Sequence, residues 1–195
     1  MARPDCIGEG SGWGTVDGSR LRVLVLSDLD RSAAAHAICR ALSVRHDPTL
    51  VEARGIFTGL KAARAAREVK PHLIHAVGAA GAARSAPVIA SGTEIPFVLS
   101  LTLADLKARA ARGAIDRAAA VLLDEGSLGD VLRQQNIERD LYVLAPPERS
   151  EEDAMFLGAL EVVYGRVVAG ADVELEFAEP PPEQPKLVQI KRRTT

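Results

Sequence analysis

The feature that most narrows the fold is a short aliphatic or β-branched run followed by a stretch with helical spacing, repeated along most of the chain. "LRVLVLS" (Leu21 to Ser27) is nearly continuous in Leu and Val, as a strand buried on both faces of a parallel sheet must be. From Ser32 to Val44 the apolar residues Ala34, Ile38, Ala41 and Leu42 recur at helical spacing, with Ser32 as the expected N-cap. The alternation continues through "TLVEA", a helix around Phe57 to Val69, "HLIHAV", and a helix from about Gly81 to Ala90. It runs on through "PFVLSL", a helix from about Ala104 to Ala118, "AAVLL", a helix near Leu128 to Gln135, and "LYVL". Strands are expected to begin near Leu21, Thr49, His72, Pro96, Ala119 and Asp140, which makes an α/β domain whose mostly parallel sheet of about six strands carries helices on both faces.

In such a sheet, ligands bind beyond the carboxyl ends of the strands. The positions to watch are therefore Asp28 and Asp30, Gly55, Val77 to Gly81, Thr102, Asp124 with Glu125, and Ala145 to Pro147. In "HLIHAVGAAGAARSAPVIASG" (His72 to Gly92), Gly78 and Gly81 supply a tight turn, and the helix that follows offers free N–H groups to an anion.

Beyond "PPERSEEDA" the positions Phe156, Leu157, Leu160, Val163, Tyr164, Val167 and Val168 form one apolar face, and Ser150 with Asp153 reads as a capping box. This C-terminal helix should pack on the domain. The expected organisation is a Gly-rich leader over 1–20, the α/β domain over 21–147, the packing helix over 148–170 and a Pro-rich, then basic, tail over 171–195.

The formal charge of −2 points to neither nucleic acid nor an anionic membrane as partner. Cys6 and Cys39 stand alone, without the spacing of a zinc site or a disulfide framework. No apolar run reaches the ~18 residues of a membrane span, and the first residues lack a signal peptide's apolar core, so a cytoplasmic location is expected.

The stretch from Leu21 to about Pro147 resembles the N-terminal, acceptor-side Rossmann-like domain of family 4 glycosyltransferases, which have the two-domain GT-B architecture. "KPHLIHAVG" is similar to the family's strand ending His-x-His, and "EIPFVLSLTLADL" to its "IPVVVTVHDL". "AIDRAAAVLLDEGSLGDVLRQQNIERDLYVLAPP" is similar to its later "ADRVIAVSEALRDDL" region. The resemblance implies a single Rossmann-like domain and a sugar or nucleotide-sugar ligand. The family's Gly-Gly loop is replaced by "SDLDRSAAA", the second His of His-x-His is Val77, a later His is Thr102, and an Asn-Gly is Ala145-Pro146. The family's donor-binding domain has no counterpart in these 195 residues. The resemblance with these departures implies a module that is not catalytic alone and that binds a protein partner or a second copy of itself. The alternative it leaves is half of a split transferase completed by a separate donor chain.

The ligand-binding candidates are Asp28, Asp30, His75, Gly78, Gly81 and Thr102; no catalytic residue, metal ligand or cofactor is expected. His75 matches the family's first His, but inside an aliphatic strand the structural reading of a satisfied core residue is favoured. His72 reads as a strand-edge surface residue. Asp28 and Asp30 read first as turn formers ahead of a helix. Asp153 and Glu161 share the spacing of the family's paired Glu residues, which a charged helix face produces by chance. Lys107, Arg109, Arg112 and Arg117 read as a solvated basic face, with an acidic or phosphate-bearing partner as the sharper alternative.

Overall fold

The computed structural model describes residues 20–53, 58–134 and 140–169; Gly55, nearly all of the leader, and the tail lie outside them. The described residues alternate strand and helix as β1 (Arg22–Asp28), α1 (Ser32–Leu42), β2 (Asp47–Ala53), α2 (Thr58–Val69), β3 (Leu73–Val77) and α3 (Gly81–Thr93). They continue as β4 (Phe97–Leu101), α4 (Arg109–Ile115), β5 (Ala120–Leu123), α5 (Gly126–Gln134), β6 (Leu141–Val143) and α6 (Asp153–Ala169). Every strand pairing is parallel, in the order β2-β1-β3-β4-β5-β6. The domain is a single Rossmann-like α/β unit.

β1 lies inside the sheet, with β2 on one side and β3 on the other, so its Val and Leu residues are buried on both faces. Val23 and Val25 face α1 and α6, while Leu24 and Leu26 face the layer formed by α2, α3, α4 and α5. The edge strand β2 is only half-buried and accommodates Pro48, whose missing N–H an interior strand would not tolerate. The chain leaves β1 toward β2 and leaves β3 toward β4, so the sheet order reverses between β1 and β3. The loops after these two strands flank the crevice where ligands of open α/β sheets sit.

Four local expectations are corrected. Ser32, expected as the N-cap of α1, is its first residue, and its hydroxyl donates to the Glu52 carboxylate at 2.7 Å instead of capping the helix. The helix expected over Ala104 to Ala118 is a 3-10 turn at Asp105–Lys107 and a shorter α4, because Ala108 is extended. Asp105 ties this turn down: its carboxylate accepts hydrogen bonds from both the N–H (2.7 Å) and the hydroxyl (2.9 Å) of Thr102. The helix expected near Leu128 starts at Gly126. The Ser150–Asp153 capping box does not form. Ser150 opens a 3-10 turn, and Asp153 begins α6 with its carboxylate drawn to Arg40 through bonds of 2.7 and 2.8 Å. A charged, two-pronged partner outweighs a local backbone donor.

Candidate functional site

Asp28 ends β1, and its carboxylate turns across the switch point toward the loop that leaves β3. It accepts hydrogen bonds from the backbone N–H groups of Ala80 (2.6 Å) and Ala82 (2.8 Å), at the N-terminus of α3. These groups have no partner within the helix, and they carry the positive end of its dipole. The Asp28 contact requires glycine at position 78, and close packing against Ala53 and Asp28 together requires it at position 81. Gly78 has φ +112°, and a Cβ there would stand 2.5 Å from Asp28 Oδ2; a Cβ on Gly81 would stand 2.8 Å from the Ala53 Cβ and 3.2 Å from Asp28 Oδ1. The Gly78 N–H is spent on the Ser100 carbonyl at 3.1 Å. The anion seat at the head of α3 is thus filled by a carboxylate of the chain itself, only 4% exposed.

Asp30 follows in an exposed 3-10 turn and does not join this contact. Thr102 lies beyond β4, engaged with Asp105. Asp124, after β5, is half-buried; desolvation raises its carboxyl above the usual carboxylate range, against the opposing charge of Arg31. Arg31 Nε and Asp124 Oδ1 are both buried without a hydrogen-bond partner among the described residues. Glu125 and Ala145 are exposed, and Pro147 is buried.

His75 is fully buried in the middle of β3. Its Nδ1 shares a 2.6 Å hydrogen bond with the Tyr164 hydroxyl of α6, and its Nε2 shares one of 2.6 Å with the Ser100 hydroxyl of β4. A neutral imidazole has one donor and one acceptor nitrogen, and these two hydroxyls use both. Desolvation lowers the ring to a pKa of about 3, so it stays neutral across the physiological range. The Tyr164 ring meets it edge-on at 5.9 Å, and burial raises the Tyr164 hydroxyl well above its usual value. His72 begins no strand; its Nδ1 accepts from the Arg22 N–H at 3.1 Å.

The structure therefore brings together Asp28, Gly78 and Gly81, and leaves Asp30, Thr102 and His75 apart from them. The pairing of Asp28 with the α3 N-terminus was missed in the sequence. Its only signal was that an Asp and a Gly-x-x-Gly close strands that turn out to be neighbours. The partner of His75 lies 89 residues away and carried no signal at all. Asp153 and Glu161, eight apart on α6, are used separately: Asp153 by Arg40, and Glu161 by Arg45 and the buried His46, both at 3.1 Å. Among the described residues there is no cluster of three or more metal-binding side chains, and no helix is long and apolar enough to cross a membrane.

No protein-family model matches the chain, and no curated protein matches it. Among solved structures it is similar to a UDP-GlcNAc 2-epimerase from Neisseria meningitidis crystallised with UDP-GlcNAc, at 13% identity and a TM-score of 0.52, over 77% of this chain and 52% of that one. A second UDP-N-acetylglucosamine 2-epimerase structure matches at 11% identity and a TM-score of 0.52, over 65% of this chain and 48% of that one. The chain spans about half the length of these enzymes. At such identities the likeness is one of fold.

Proposed function

We propose that this chain is a glycosyltransferase-like, acceptor-side Rossmann domain that serves as a binding or interaction module and does not transfer sugar by itself. The observation that carries this reading is the Asp28 carboxylate on the N–H groups of Ala80 and Ala82. A helix N-terminus beyond a parallel strand is where this class of fold places a phosphate. To enter, a phosphate would have to displace a buried carboxylate and leave it without partners, a cost of several kcal/mol. The His of the family motif, His75, supports the same reading, because both its nitrogens are bonded inside the core and its proton affinity is too low for acid or base work near neutral pH. A sugar or sugar nucleotide remains the ligand class, held away from the α3 N-terminus, with a protein partner or second copy as the other binding partner.

The test is calorimetric titration of the purified chain with UDP-GlcNAc and UDP, alongside an assay for released UDP. No turnover is expected, and UDP should bind no more tightly than UDP-GlcNAc does, since the anion seat at the α3 N-terminus is filled and the sugar must supply recognition. Steady release of UDP by the chain alone would overturn the reading. A second reading, half of a split glycosyltransferase, draws support from the chain's spanning about half the length of the two epimerases. In that case turnover appears only when a chain bearing a donor-binding domain is added.

A further inference from the structure

The α2 and α3 helices run side by side on the face of the sheet opposite α1 and α6, and between them lies a groove of about 590 Å³. The groove exists because the residues that meet there are small: Gly59 and Ala63 from α2, Gly81 and Ser85 from α3. Its volume falls in the range of small-molecule sites, roughly 300 to 1,000 Å³. Val88 and Ile89 give it an apolar wall.

Its charge is one-sided. Arg67 and Arg84 line it, no carboxylate does, and neither guanidinium has an ion pair or side-chain hydrogen bond among the described residues. Ser85, only 6% exposed, also lines the groove, and its hydroxyl makes no hydrogen bond among the described residues. That hydroxyl is open to the groove, where water or a ligand's polar atom can meet it. Two unpaired guanidiniums in one concavity favour a carboxylate or phosphate. We propose that this groove binds an amphipathic organic anion, a phosphate ester or carboxylate carried on an apolar body, with Arg67 and Arg84 taking the charge, Ser85 a polar atom, and Val88 and Ile89 the apolar part. The groove adjoins the switch-point loop at Gly81 and extends from there along α2 and α3 to Gly92 and Thr93.

The test is calorimetry on the full chain with four probes: hexyl phosphate, hexanoate, 1-hexanol and inorganic phosphate. The expected result is saturable one-to-one binding of hexyl phosphate or hexanoate, with 1-hexanol and inorganic phosphate weaker by about tenfold or more, because each offers half of the recognition. Whichever anion binds more tightly identifies the head group. Arg67→Ala and Arg84→Ala should each weaken binding by about fivefold while leaving the melting temperature unchanged, since neither side chain has an ion pair or side-chain hydrogen bond among the described residues. Gly59→Leu provides an independent check. A Cβ at Gly59 would stand 3.8 Å from Ser85 Oγ across the groove, in ordinary contact, so a leucine there occupies the groove and should reduce binding with both arginines intact. Absence of saturable binding by both anions, or binding that all three substitutions leave unchanged, overturns the proposal.

Discussion

The two faces of the sheet are built on opposite plans. On one, α1 and α6 cover the sheet with large side chains, among them Leu42, Phe156, Leu160 and Tyr164, and polar bridges tie the layers together. Arg40 grips Asp153, Glu161 reaches Arg45 and His46, Tyr164 bonds His75, and Arg166 bonds the Tyr142 hydroxyl at 2.9 Å. On the other face, α2, α3 and α4 meet the sheet through alanines, including Ala62, Ala66, Ala82, Ala83, Ala86, Ala111 and Ala114. Among the described residues its polar ties lie at the two ends of α3: the Asp28 carboxylate on the N–H groups of Ala80 and Ala82, and Arg117, which donates to the Pro87 carbonyl and the Ser91 hydroxyl. Alanine lets helices approach closely but fixes no unique seating, whereas a large residue bonded through a polar tip fixes one. The first face is therefore the locked one, and the second is where a groove can remain.

The strongest way to break this contrast is to charge the locked face. Leu160 and Tyr164 are fully buried, so Leu160→Asp with Tyr164→Asp should cost more than about 5 kcal/mol and leave the chain unfolded by circular dichroism at 25 °C. A double variant that melts like the parent would mean that α6 is not part of the core. Asp28→Ala comes next: it strips the partly buried Ala80 N–H and the buried Ala82 N–H of their acceptor and should cost about 2 kcal/mol in urea denaturation. It should also open the α3 N-terminus, so that millimolar inorganic phosphate raises the variant's melting temperature and leaves the parent's unmoved.

His75 sharpens the comparison through pH. Its folded-state pKa of about 3 lies below the unfolded value near 6.5, so the unfolded chain binds the extra proton as pH falls between them. Its contribution to stability is fully present above about pH 6.5 and is lost on acidification, at up to about 1.4 kcal/mol per pH unit within that window. His75→Gln should flatten this limb of the stability profile. The smallest effect lies on the outer side of α6, where Gly158 sits inside the helix with nothing within 4 Å of its Cβ position. Gly158→Ala should stabilise by about 0.5 to 1 kcal/mol, read as a higher melting temperature.

Much of the architecture was legible beforehand. Leu21 to Ser27 announced a strand buried on both faces because a parallel sheet leaves no polar side to alternate with. The apolar face of α6 announced itself through helical spacing, and five of its seven named residues are buried. What periodicity could not convey was the length of α4 or the fate of the expected capping box. Both were settled by side chains choosing between a local backbone partner and a better one: Asp105 took Thr102 close by, and Asp153 took Arg40 across 113 residues.

The candidate site divides along the same line. Hydrophobic spacing alone determined the order of strands and helices along the chain, because each element must bury one side whatever it packs against. It also placed Asp28, Gly78 and Gly81 at strand ends. That β1 and β3 are neighbours, so that a carboxylate on one seats itself on the helix that follows the other, was decided only when the sheet was assembled. The same holds for His75, whose surroundings come from β4 and α6. A hydrogen bond depends on positions in space that local spacing does not encode.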